Sequence, residues 1–337
     1  MFNVQFMKLK KDRAVRFVFS FVLASLFFFG CIALEVDGVD WQRYATIRPN
    51  FEVFYYYREF FSWWVITTIS HESNSFYNAL IGGGIYFLLV HSSLSVASSL
   101  LNRIGKSEKG YIPYMILPFL TTNFYVLQSI NGLRQGISSA FLLYAFSLLI
   151  SGNRFSSFCF FLIAVFSHNA ALFYFPIFMV FLLPIKRLYK LGPLVSFSIL
   201  FLGSLILQIA SKSSGESSSN NTLAFAFCML IMYVFCYFVF KGSYNSGCRD
   251  ERLSKGLVTS FAFYTSFAVF SVITDEMSFE RLVYYSFLII IPFLVVSFSR
   301  FKGSSYVFVL FVLISPIVLL LFFNTNAYQA QFILLRP

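Results

Sequence analysis

Ionisable side chains in this sequence, His91 excepted, lie at or beyond the ends of long apolar segments. A charged side chain at the centre of a bilayer costs ~2.5–3.5 kcal/mol on insertion scales, so charges at helix mouths are candidates for function. An arginine guanidinium binds two phosphate oxygens at once, and a neutral imidazole accepts a proton near neutral pH. Together these residue types predict transfer from a lipid diphosphate to an activated hydroxyl. The candidates are Asp40, Arg43, Tyr44, Arg134, Gln135, His168, Glu280 and Arg281.

Arg134 has the most informative position among these candidates. It is the second residue of the apolar segment 133–150, at the N-terminus of a predicted helix, where the helix dipole disfavours a cation. A cation that served only as a membrane anchor would be better placed at the other end, so we interpret Arg134 as functional. Arg281 has a structural alternative, which is an ion pair with Glu280 or Asp275.

The other candidates also have structural alternatives. His168 follows the apolar segment 155–166, and a lone histidine at a helix end is often an ordinary interfacial side chain. Asp40 is also typical of a turn, and Tyr44 of the aromatic belt at a membrane surface. The glycines at 82–84 lie within an apolar segment and precede no Lys-Ser or Lys-Thr pair. They indicate close helix packing or a kink rather than a phosphate-binding loop.

The composition identifies the class of protein that must position these residues. Of 337 residues, 58% are hydrophobic and 12% are charged, against roughly 25% charged in globular proteins. The apolar runs are continuous, whereas strands of a transmembrane barrel alternate apolar and polar residues. Although the net charge is +11, the basic residues are scattered between apolar runs, which argues against nucleic-acid binding. The sequence therefore predicts an all-α polytopic membrane protein.

Eleven apolar segments are long enough, or nearly so, to be membrane spans, and they form one multi-pass domain over residues 1–337. Two of them, 155–166 and 170–183, are short and are expected to extend into neighbouring loops. The predicted spans are 17–34, 76–97, 111–130, 133–150, 155–166, 170–183, 191–210, 222–240, 257–273, 282–298 and 306–323.

The distribution of basic residues predicts the orientation. Cytoplasmic loops are enriched in Lys and Arg, and one set of alternating loops holds 18 of the 25 basic residues while the opposite set holds 7. The N-terminus is therefore predicted to be inside and the C-terminus outside. An outside loop is predicted at 35–75, with its aromatic part, 51–69, forming a helix on the membrane surface. The alternative is that 51–69 spans the membrane and inverts everything after it.

Several of the candidates stand in a pattern that resembles the EpsG/Wzy-type family of bacterial polysaccharide polymerases. The pattern combines an Arg-Gln pair at the start of one span, a short inside turn, and a histidine after the next span. It departs from the commonest form at Ser138, Asn169 and Ala170. The matching stretches are Leu133-Arg134-Gln135-Gly136-Ile137-Ser138, Gly152-Asn153-Arg154, Ser167-His168-Asn169-Ala170-Ala171-Leu172 with Pro176, residues 40–44, and Glu280-Arg281 with Tyr284 or Tyr285.

This resemblance implies a polymerase that joins O-antigen or capsule repeat units carried on undecaprenyl diphosphate. It would act on the outer face of the bacterial cytoplasmic membrane, with inversion at the anomeric carbon and without a cofactor or metal. Its implied partners are the lipid-linked oligosaccharides, the bilayer, and a chain-length regulator and flippase of the same pathway, with no nucleic acid. Arg134 and Arg281 would bind the diphosphate, and His168 or Glu280 would deprotonate the acceptor. The remaining residues, Asp40, Arg43, Tyr44, Gln135, Tyr284 and Tyr285, would contact sugars.

Two other functions fit parts of the pattern. An O-antigen ligase uses the same donor but typically has a large outside loop late in the chain, where the outside connections of this sequence are short. A lipid-linked oligosaccharide flippase would be expected to show two related halves and a basic cavity at mid-membrane depth. Neither feature is visible in the sequence, so polymerisation is the preferred interpretation.

Overall fold

The chain is described here from a computed structural model. It is helical in the described residues apart from one pair of three-residue strands. The described residues are 2–33, 36–38, 59–69, 75–103, 125, 128–130, 132–182, 231, 233–234, 236, 276–298 and 332–334. Their elements are α1 (Phe2–Ala33), β1 (Val36–Gly38), α2 (Phe60–Ile69), α3 (Ser75–Arg103), α4 (Leu133–Ile150), α5 (Arg154–Ser167), a 3-10 helix (Asn169–Tyr174), α6 (Phe175–Leu182), α7 (Glu276–Phe298) and β2 (Phe332–Leu334).

Three of the described helices are long and apolar enough to cross a bilayer. They are Asp12–Ala33 within α1, Phe76–Asn102 within α3, and Leu133–Ile150, which is the whole of α4. The helical membrane architecture is therefore confirmed in this part of the chain. The number of eleven spans and the inside N-terminus stay predictions. The predicted spans 191–210, 257–273 and 306–323 lie outside the described residues, as do most of 111–130 and 222–240.

Three predicted spans differ in extent from the helices of the structure. Helix α1 begins at Phe2 rather than at residue 17, because its Lys- and Arg-rich start consists of good helix formers. Helix α7 begins at Glu276 rather than at residue 282, which puts acidic residues in the first turns, where the helix dipole favours them. The segment predicted as one span over 170–183 consists of the 3-10 helix followed by α6.

Helix α3 lies at the centre of the described bundle and packs against α1, α4 and α7. A Cβ placed on Gly83 would lie 3.3 Å from the Cβ of Phe28 in α1, so the glycine lets these two helices approach closely. The close-packing interpretation thus holds at Gly83, whereas a Cβ on Gly84 would meet no described atom within 4 Å. On its other side α1 exposes large apolar side chains such as Phe21 and Leu26, as expected of a helix that faces lipid.

The turn between α4 and α5 explains why these helices are antiparallel neighbours. The amide of Gly152 donates to the carbonyl of Leu149 at 3.0 Å, and that of Asn153 donates to Leu148 at 2.9 Å. These two bonds form a Schellman motif, whose left-handed residue is Gly152 with a φ of 88°. The Asn153 side chain then caps α5. A turn of this length returns the chain directly along α4.

Two serine hydroxyls fix α4 against α5 along their length. Ser138 Oγ donates to the carbonyl of Ala164 at 2.7 Å, and Ser157 Oγ donates to the carbonyl of Ala145 at 2.6 Å. Helix α2 packs across both of these helices. The N-terminal ends of α2 and α4 and the C-terminal end of α5 therefore meet at one end of the bundle.

The strands connect the segment after α1 with the segment near the C-terminus. Val36 pairs with Leu334, and Gly38 pairs with Phe332, in antiparallel register. The two segments therefore lie on one side of the bundle. Both are predicted from the distribution of basic residues to be outside, and that assignment stays a prediction.

Candidate functional site

Three helix ends converge on the carboxylate of Glu59. This residue directly precedes α2 and is buried, with 6% of its surface exposed. Arg134 is the second residue of α4, and His168 is the residue that ends α5. The structure thus brings together two residues that the sequence pattern singles out, with Glu59 between them.

The Glu59 carboxylate makes three contacts across two helix ends. Its Oε2 forms an ion pair with Nη1 of Arg134. Its Oε1 accepts a hydrogen bond from the amide of Asn169 at 3.1 Å and lies 3.7 Å from Nδ1 of His168. A single side chain therefore links the start of α4 to the turn that contains His168.

Local structure explains why a buried carboxylate is stable at this position. A buried charge is tolerated only with an opposite charge and hydrogen bonds. Glu59 has both, and it stands at the N-termini of α2 and of the 3-10 helix, where unpaired amides and the helix dipole favour an anion. The same pairing explains how Arg134 is tolerated at the N-terminus of α4.

Arg134 is held by Glu59, just before α2, and by Trp63 in the first turn of α2. Glu59 binds its guanidinium, and the ring of Trp63 lies 5.0 Å from its Cζ, within the range of a cation–π contact. The side chain of Arg134 keeps 22% of its surface exposed, against 7% for Glu59. Arg134 is therefore a fixed, planar cation on a partly exposed side chain, and a planar guanidinium suits the binding of phosphate oxygens.

His168 is held in place through its backbone and its ring. Its amide donates to the carbonyl of Ala164 at 3.0 Å, the same carbonyl that receives the Ser138 hydroxyl. Its Nδ1 accepts a hydrogen bond from the amide of Ala170 at 3.1 Å. In a neutral ring with this contact, the proton is on Nε2. The departure from the family pattern at Ser138 thus adds a hydrogen bond beneath the His168 turn.

Helix α7 forms a wall beside His168. The ring of Tyr285 is fully buried and its centroid lies 6.3 Å from that of His168 and 5.8 Å from that of Tyr174. Tyr174 also hydrogen-bonds through its hydroxyl to that of Ser286, at 3.2 Å. These contacts fix α7 against the 3-10 helix.

The charged pair of α7 lies near the start of this wall. Arg281 precedes Tyr285 by four residues in a continuous helix, so the two share one helix face about one turn apart. Glu280 and Arg281 were expected to open the helix, and they lie instead in its second turn. Their side chains, and that of Tyr284, are outside the described part of the chain.

The other sequence-predicted residues divide into two groups. Gln135 follows Arg134 in the first turn of α4 and is half-buried. Asp40, Arg43 and Tyr44 lie outside the described residues.

Glu59 was not among the candidates predicted from the sequence, where it lies within the aromatic segment 51–69. A signal existed, because a cation at a helix N-terminus requires an anion nearby. The sequence contains several carboxylates that could have met this requirement, and pairing across 75 positions is decided by tertiary packing.

Comparison with known proteins identifies one family. Residues 18–335 match the model of the family described as the EpsG family. No curated protein and no solved structure matches the chain. The matched range includes Glu59, Arg134 and His168, together with the predicted residues of the first outside loop and of α7.

Proposed function

Because the chain belongs to the EpsG family, we propose that it joins oligosaccharide repeat units carried on undecaprenyl diphosphate into O-antigen or capsular polysaccharide. Family membership supports polysaccharide polymerase-type glycosyl transfer, and the apolar helices embed the chain in a membrane. The observation that carries the finer proposal is the convergence of Arg134 and His168 on one buried carboxylate. That arrangement provides a cation for a diphosphate and an imidazole for a hydroxyl within one site.

The proposed reaction is an inverting displacement. The oxygen of an acceptor hydroxyl forms a bond to the anomeric carbon of the donor sugar, and the bond from that carbon to the diphosphate oxygen breaks. Its electron pair leaves with the diphosphate, and the hydroxyl proton passes to the base. The donor glycan is thereby transferred onto the next lipid-linked unit, so the polymer grows at its lipid-linked end.

Arg134 is the proposed ligand of the departing diphosphate. The diphosphate gains charge as the bond breaks, so a fixed cation stabilises the transition state more than the ground state. With Glu59 and Trp63 in contact, 22% of the Arg134 side chain stays accessible. Arg281 is the proposed second cation, since it precedes Tyr285 by one turn in α7 and Tyr285 lies beside His168.

His168 is the proposed base, with Glu280 as the alternative. The sugars are proposed to contact Asp40, Arg43, Tyr44, Gln135 and Tyr284. Tyr285 belongs to this proposed set as well, although its ring is fully buried beside His168, so in the described state it packs against the histidine. The reaction as proposed takes place on the outer face of the bacterial inner membrane and uses no cofactor.

A deletion strain tests this proposal against its alternatives. A polymerase deletion leaves surface glycans with a single repeat unit, and the wild-type gene restores a ladder of long chains. An O-antigen ligase deletion instead leaves long polymer on the lipid carrier, and a flippase deletion keeps single units inside the cell.

Single substitutions then test the site. Arg134→Ala, expressed at the wild-type level, should give single units, and Arg134→Lys should lose much of the activity because lysine keeps the charge without the planar fork. Long chains of normal abundance from Arg134→Ala would remove the diphosphate role of this residue.

A further inference from the structure

The described arrangement does not yet make His168 a base. Its Nδ1 lone pair receives the amide hydrogen of Ala170, so the neutral ring carries its proton on Nε2. A base at Nε2 requires the other tautomer, with the proton on Nδ1. Such a tautomer is normally stabilised by an acceptor for the Nδ1 hydrogen, often a carboxylate.

Glu59 is the carboxylate in position to accept that hydrogen. Its Oε1 lies 3.7 Å from Nδ1 of His168, and a hydrogen bond of this kind is about 2.7–3.2 Å long. A glutamate shift of less than about 1 Å, together with a rotation of the imidazole that releases Nδ1 from the amide of Ala170, would therefore complete a Glu–His pair. In the described state Oε2 of the same carboxylate is engaged by Arg134, which holds Glu59 toward α4.

A diphosphate bound at Arg134 would break the ion pair between Arg134 and Glu59. The diphosphate carries at least two negative charges, and its oxygens match the planar guanidinium, so it competes directly with Glu59 for the same donors. Glu59 would then be a buried carboxylate without its cation, which is an unfavourable state. Moving toward His168 and stabilising a proton on Nδ1 relieves it.

We propose that Glu59 is a positioning residue that couples diphosphate binding at Arg134 to formation of the base at His168. This inference rests on the proposed function. With the donor bound, the acceptor hydroxyl gives its proton to Nε2 of His168, and the resulting imidazolium is balanced by Glu59. The charge of the departing diphosphate is balanced by Arg134. The base therefore forms only when a donor occupies the site.

Glu59→Gln separates this role from that of a structural ion pair. The amide oxygen of glutamine still accepts from the amide of Asn169, but the side chain no longer competes with the diphosphate for Arg134. Binding of the diphosphate should therefore be as tight as in the wild type or tighter. Without the carboxylate, the reactive tautomer of His168 loses its stabilisation and kcat should fall, by up to ~10⁴ on the precedent of an orienting carboxylate.

The experiment uses purified full-length protein and two probes. Undecaprenyl diphosphate reports Kd, and lipid-linked repeat units extracted from the deletion strain report kcat of polymerisation. The expected result for Glu59→Gln is a Kd equal to or lower than that of the wild type, with kcat reduced at least about tenfold. A smaller fall in kcat, or a weaker Kd in folded protein, overturns the coupling.

Two further variants keep the result interpretable. Asp12→Asn, a matched carboxyl-to-amide change near the start of the membrane-crossing part of α1, should keep both values. If Glu59→Gln does not fold, Glu59→Asp takes its place, because aspartate keeps the charge but has a shorter reach to His168. The expected result for this variant is a lower kcat with an unchanged Kd. An unchanged kcat overturns the proposal. A wild-type protein that forms no polymer from these units contradicts the proposed function itself rather than the coupling.

Discussion

The ion pair between Arg134 and Glu59 should be visible as a large coupling energy in the stability of the protein. Arg134→Ala leaves the Glu59 carboxylate, 7% exposed, without its cation. Removal of one partner of a buried pair costs about 3–5 kcal/mol, and the 22% exposure of the Arg134 side chain places this pair near the lower end. The cation–π contact with Trp63 adds about 0.5–2 kcal/mol. We therefore expect Arg134→Ala to lower the free energy of unfolding by about 3.5–5 kcal/mol.

The double variant Arg134→Ala/Glu59→Ala should recover part of this loss, because it removes the unpaired charge. Contacting residues in one network typically show coupling energies of about 0.5–3 kcal/mol, and the burial of Glu59 places this pair at about 2 kcal/mol. The assay is chemical denaturation of the wild type, the two single variants and the double variant in one detergent. A coupling energy below about 0.5 kcal/mol would refute the pairing on which the site depends.

The remaining predictions concern the base, the packing of α4 and the topology. His168→Ala should reduce the rate of polymerisation by ~10²–10⁴ and leave faint activity. If the residue is a base, His168→Gln should be as slow as His168→Ala in the same chain-length assay. A glutamine variant with wild-type activity would indicate that His168 positions the substrate instead. A Cβ on Gly136 would lie 2.8 Å from the carbonyl oxygen of Gln128 and from a methyl of Ile85, whereas none of the described atoms lies within 4 Å of one on Gly84. Gly136→Ala should thus cost about 1–3 kcal/mol of unfolding free energy in denaturant titrations and Gly84→Ala far less; equal losses would contradict the described packing. Reporter fusions after Ser218 and Ser246 should report outside and inside respectively, and both signals reversed would overturn the orientation.

Features encoded over short distances could be predicted from the sequence. Helix α4 has the expected bounds of Leu133–Ile150, because a continuous apolar run ends at a glycine that supplies the left-handed residue of a Schellman motif. The positions of Arg134 at a helix start and of His168 at a helix end follow from the same local pattern. These features need no knowledge of the rest of the fold.

Features that depend on tertiary contacts could not be predicted. Glu59 belongs to the site only because α2 packs across α4 and α5, and no local pattern reveals which carboxylate meets Arg134. The state of His168 likewise depends on the amide of Ala170 in a 3-10 helix, where a regular span was expected. The start of α7 at Glu276 was not predicted because the span was placed after the charged residues. Acidic residues are nevertheless favourable in the first turn of a helix.

The central claim is that this chain polymerises lipid-diphosphate-linked repeat units at the site formed by Arg134 and His168. The most direct measurement incubates purified protein with such units from the deletion strain and separates the products by length. The wild type should produce a ladder of lipid-linked polymers and release undecaprenyl diphosphate, one molecule for each bond formed, while folded Arg134→Ala should produce almost none. Polymer formation by Arg134→Ala at the wild-type rate would contradict this claim. So would the absence of polymer from folded wild-type protein.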